Sequence, residues 1–137
     1  MTVRHPNVAL VRGAYAAQAA GDLEAYLALL TDDFVLHIPG RSQIAGTYRG
    51  REAMRGHFAD IARISGGSFR TTVHDVAGSD DHVIALVEAT AERDGSVVEL
   101  PRIHVWHVRD GALSELWLHP VDPDAFDAYW GAATPEG

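Results

Sequence analysis

The residues best equipped for chemistry lie in one stretch, Arg102 to His119, which reads R-I-H-V-W-H-V-R-D-G-A-L-S-E-L-W-L-H. Asp110-Gly111 divides two apolar-rich runs, a strong hairpin signal. Side chains alternate faces along a strand, so Arg102, His104 and Trp106 share one face and Ile103, Val105 and His107 the other. A guanidinium, an imidazole and an indole on a covered face either satisfy one another or meet a ligand. Arg102 suits a carboxylate or enolate, and a neutral imidazole at His104 suits a carbonyl or hydroxyl. Glu88, mid-strand in V-I-A-L-V-E-A-T-A, is a possible acid or base if buried, and inert on an exposed sheet face. Trp106, Trp117 and Tyr48 suit the wall of a pocket for a flat, apolar molecule.

Other chemistries find little footing. The chain carries eight histidines, but His104 and His107 point to opposite faces of their strand, and no H-x-H or H-E-x-x-H occurs. No metal ligand is assigned and no cofactor is required. Phosphate loops and a Ser/His/Asp order are absent from the pattern. With 11 basic and 19 acidic residues, a net charge of −8, the chain suits neither nucleic acid nor an anionic membrane. There is no cysteine and no apolar segment of membrane-spanning or signal-peptide length, which predicts a cytoplasmic protein. At 137 residues and 47% hydrophobic, residues 1–137 are expected to form one domain.

Positioning these groups takes helices first, then strands. Val8, Val11, Tyr15 and Ala19 predict a helix over 7–20, capped by Asn7 and ended by Gly21. Asp22 caps a second helix bearing Leu23, Tyr26, Leu27 and Leu30. Asp33–Ile38 reads as a strand stopped by Pro39-Gly40, residues 39–50 as a loop, and 51–64 as a helix with Met54, Phe58 and Ile61 on its apolar stripe. Strands follow over 69–77, 82–93, 97–108 and 112–119, with links short enough for an antiparallel meander. Asp122-Pro123 opens a terminal helix. Helices followed by antiparallel strands give an α+β fold.

The segments G-D-L-E-A-Y, D-D-F-V-L-H-I-P-G-R-S-Q-I-A-G-T-Y-R-G-R-E-A-M and V-R-D-G-A-L-S-E-L-W resemble the NTF2-like superfamily. Within it, the chain resembles the SnoaL-like, ketosteroid-isomerase-related proteins over about residues 7–131. The resemblance implies a cone-shaped barrel, a strongly curved antiparallel sheet wrapped around N-terminal helices. It implies a cofactor-independent isomerase, cyclase or dehydratase acting on a small hydrophobic carbonyl compound. Non-catalytic binding of an apolar ligand and epoxide hydrolysis are alternatives within the same superfamily. Tyr15 matches the oxyanion-hole tyrosine of the steroid isomerases, and His104 stands where they carry a protonated aspartate. Their catalytic aspartate precedes a proline; here that slot reads Ile38-Pro39, with His37 one step earlier as a substitute base. Asp122 is an outsider, better explained as a helix cap.

The hairpin register decides the rest of the lining. A two-residue turn pairs His104 with Trp117 and Arg102 with His119. A three-residue turn pairs His104 with Leu116 and Arg102 with Leu118, making Leu116 and Leu118 pocket residues. The family resemblance favours the latter. It sends Trp117 and His119 to the opposite face, an expected homodimer surface.

Overall fold

The computed structural model describes residues 5–132. Helix α1, Pro6–Ala19, starts with proline at its first position, where a missing N–H costs nothing. The cap is His5, whose ring accepts from the Asn7 N–H, and not Asn7 as the sequence suggests. Asn7 instead donates to the carbonyls of Ser79 and Asp80. Gly21, at φ 70°, allows the sharp bend into α2, Leu23–Ala28, which Asp22 caps. Leu30, expected on that helix, opens strand β1, Leu30–Ile38.

The stretch read as a loop over 39–50 contains a short strand, β2 (Gly46–Arg49), antiparallel to β1. Helix α3, Gly50–Ser65, ends on left-handed Gly66. Strands β3 (Arg70–Gly78) and β4 (His82–Arg93) follow. The expected single strand over 97–108 is broken at Leu100-Pro101 into β5 (Ser96–Glu99) and β6 (Arg102–Arg109). Proline has no N–H to offer the ladder. β5 pairs with the far half of β4 and β6 with the near half, so the sheet bends there. Strand β7 (Ala112–Pro120) and helix α4 (Pro123–Trp130), capped by Asp122, complete the fold.

The sheet runs β2-β1-β7-β6-β4-β3, with β5 beside β4. The predicted meander β3 to β7 is antiparallel, but β1 lies parallel to β7, so the sheet is mixed. No short turn joins β1 to β7, so no hairpin dictates their direction. The curved, unclosed sheet and its helices form a cone-shaped α+β fold. Among the described residues, no helix is long and apolar enough to cross a membrane.

The β6–β7 hairpin follows neither expected register. Asp110 and Gly111 both have positive φ, as a two-residue turn requires. A bulge at Ser114 then adds one residue to β7, so His104 faces Leu118 and Arg102 faces Pro120. Leu116 and Leu118 still turn inward and Trp117 outward, the face assignment of the three-residue reading reached by another route.

Candidate functional site

The inner face of β6 carries the site. Tyr15, from α1, meets it: its hydroxyl lies 2.6 Å from His104 Nδ1 and accepts from Trp106 Nε1 at 3.0 Å. With the indole N–H filling one acceptor position, the phenol's single proton is free for Nδ1. With Tyr15 as the donor to Nδ1, the ring proton of His104 is assigned to Nε2. Nε2 is buried and has no protein partner. Burial, reinforced by the nearby Arg102 guanidinium, holds the His104 pKa well below the ordinary imidazole value. His104 is therefore neutral at pH 7, with one donor to spare. Burial pushes the Tyr15 phenol up, so it stays protonated.

His104 lines a narrow interior chamber of about 50 Å³ that opens towards solvent. Arg102, His104, Leu116 and Leu118 line it, as the sequence suggests, together with Gln18, His57 and Thr71. Tyr26, Phe58, Ile61 and Phe69 lie between this chamber and an outer vestibule bounded by Gly21, Asp22 and Arg70. A ligand would enter there, between the α1–α2 bend and the end of α3.

Arg102 is 5% exposed. Its Nε donates to the Leu100 carbonyl at 3.1 Å, and its guanidinium lies over the rings of Phe69 and Phe126. One terminal nitrogen has no partner. Burial lowers its pKa to about 10, which leaves it charged at neutral pH.

His57 is the residue that sequence reasoning missed. It sits on α3 with Nδ1 buried and unpartnered. Burial, together with Arg102 and against the pull of Asp60, brings its pKa down to about 4. The signal was present: His57 falls between Met54, Phe58 and Ile61 on the same apolar stripe.

Several expected residues stand elsewhere. Tyr15 reaches His104 but spends its hydroxyl on it, so it supports the donor from behind and does not line the chamber. Trp106, fully buried, does the same for Tyr15 and forms no part of the wall. Tyr48 donates to the Ile44 carbonyl and packs behind His57. His37 is on the outer sheet face, because Leu36 and Ile38 point inward and strand alternation turns it out. There it bonds Glu115 at 2.5 Å and stacks on Trp117, while His107 approaches Glu115 and His82. Glu88 is exposed on the outer face between buried Val87 and Ala89. Asp122 is exposed and caps α4. No carboxylate lines the chamber among the described residues, so the acid pair of an epoxide hydrolase is missing from it.

Residues 11–116 match the SnoaL-like domain family. The chain belongs to that family. Its fold is NTF2-like. A relative, the uncharacterized protein Rv0034 of Mycobacterium tuberculosis, is 30% identical over 122 residues, covering 88% of this chain and 93% of its own. Bal32a, from a soil-derived mobile gene cassette, superposes with a TM-score of 0.86 at 34% identity, covering 92% of this chain and 97% of Bal32a. TerC, co-crystallized with polyporic acid, superposes with a TM-score of 0.82 at 22% identity, covering 91% and 98%. The last likeness shows the fold alone.

Proposed function

We propose that this SnoaL-like chain is a cofactor-independent acid–base enzyme that takes a hydrophobic carbonyl compound, polyketide- or steroid-like, into the chamber and enolises it for isomerisation, cyclisation or dehydration. One observation carries the reading: the unpartnered Nε2 of His104, whose ring is held by Tyr15 and Trp106 and lines a mostly apolar chamber. A substrate carbonyl accepting from Nε2 would gain most as negative charge develops on its oxygen, because the donor is fixed and water is scarce. Arg102 adds positive charge on the same strand face. His57, neutral and with Nδ1 free, is the group in the chamber able to accept the α-proton. Leu116 and Leu118 supply apolar wall.

The absence of any lining carboxylate favours a second reading, in which the chamber sequesters its ligand unchanged. Exchange of the α-protons of 2-tetralone in deuterated water, followed by NMR, separates the two. The enzyme reading expects acceleration that His104→Ala reduces at least tenfold while circular dichroism stays native. Exchange unaltered by that substitution removes His104 from the chemistry, and binding without exchange favours sequestration.

The working picture also includes a cytoplasmic homodimer formed through the outer sheet face, where Ile84 is 47% and Leu86 40% exposed. Sedimentation of wild type against Ile84→Lys tests the dimer. A wild-type monomer would end that part of the picture.

A further inference from the structure

The chamber is short of negative charge. Arg102 is buried with a free terminal nitrogen, and His104 Nε2 and His57 Nδ1 are also unpartnered. All three residues line the same space. Among the described residues no carboxylate forms an ion pair with Arg102. A buried charge is costly unless paired and hydrogen-bonded. The faces of Phe69 and Phe126 offset part of that cost. They do not use the free N–H, which points to a partner that arrives with the ligand.

We infer that the ligand of this chamber is an apolar acid, bearing a carboxylate or an ionised enol that seats on the Arg102 guanidinium beside the His104 Nε2–H. Arg102 and His104 are two residues apart on one strand face, so their side chains start roughly 6–7 Å apart. A molecule with an acidic oxygen and a carbonyl a few atoms apart can meet both. Guanidinium suits this better than an ammonium would, since its planar fork presents parallel donors and tolerates aromatic faces. Lysine or arginine at the surface would attract anions of every kind; this one selects acids that can also bury an apolar body against Leu116 and Leu118.

The inference rests on the pocket reading above, and the test separates their failures. 2-Naphthoate and 2-naphthamide share a ring system and differ in charge. Their affinities are measured by calorimetry at pH 7 on wild type, Arg102→Gln and Arg102→Lys, with shifts of the His57 and His104 ring signals locating the site. The expected result is naphthoate at least tenfold tighter than naphthamide in wild type, a gap within twofold in Arg102→Gln, and a retained preference in Arg102→Lys. Equal binding of the two probes to wild type overturns the acidic ligand and leaves the pocket. A preference that survives Arg102→Gln overturns Arg102 as the counter-charge. Binding of neither probe in the chamber overturns the inference and the pocket reading together. Should Arg102→Gln not fold, the wild-type ratio and Arg102→Lys still decide.

Discussion

Replacing Tyr15 by phenylalanine tests the locked imidazole through stability. The ring stays, so packing changes little, but one oxygen disappears that serves two buried groups. Trp106 Nε1–H loses its acceptor and His104 Nδ1 its donor. Trp106 is 0% exposed, so water cannot substitute for the lost oxygen. Each buried polar group left unpaired costs about 1–3 kcal/mol. The two losses share one atom and do not simply add. A total of roughly 2–4 kcal/mol is expected, read as a lower urea midpoint at unchanged slope. Tyr48→Phe is the control. Its hydroxyl donates to the Ile44 carbonyl in a half-buried setting, and about 1 kcal/mol or less is expected. A Tyr15→Phe loss below about 0.5 kcal/mol, or one no larger than that of Tyr48→Phe, would refute the hydrogen-bonded triad.

Other expectations follow from the same geometry. Stability should fall as pH drops from about 6.5 towards 4, because His57 binds a proton near 6.5 when unfolded and only near 4 when folded. The unfolded state then binds more protons in that window, so acid favours it; His57 alone accounts for roughly 3 kcal/mol, with His104 acting in the same direction. Urea midpoints across that range should flatten in His57→Gln, and a wild-type midpoint independent of pH would contradict this. Gly40→Ala should destabilise by about 1–3 kcal/mol in thermal melts, since Gly40 has φ +100° and an added Cβ would meet Asp127 Oδ1 at 2.3 Å. His37→Ala and Glu88→Gln should leave tetralone exchange within twofold of wild type, as both residues face away from the chamber; a tenfold loss in either would reopen its role as a base.

Local chemistry made much of the fold legible. Gly21-Asp22, Gly66 and Asp122-Pro123 are punctuation that the chain obeys. Strand alternation put Arg102 and His104 on one face; the same rule turns His37, read as a substitute base, to the outer face, because Leu36 and Ile38 point inward. Long-range pairing was not legible. Nothing within β1 specifies a parallel partner 80 residues later, where His37 pairs with Trp117. The Ser114 bulge carries no sequence mark that separates it from a turn one residue longer. His57 was passed over because a polar residue on an apolar helix stripe reads as an interruption until the facing strand is known. Glu88 lies on the exposed face because its apolar neighbours in sequence, Val87 and Ala89, point to the other side of the strand.

The most direct measurement is the protonation state of the His104 ring, from long-range ¹H–¹⁵N correlation at pH 7. A neutral ring with the proton on Nε2, whose signal moves when 2-naphthoate is added, is the predicted result. A charged ring, a proton on Nδ1, or an Nε2 signal indifferent to the probe would contradict a donor poised over the chamber.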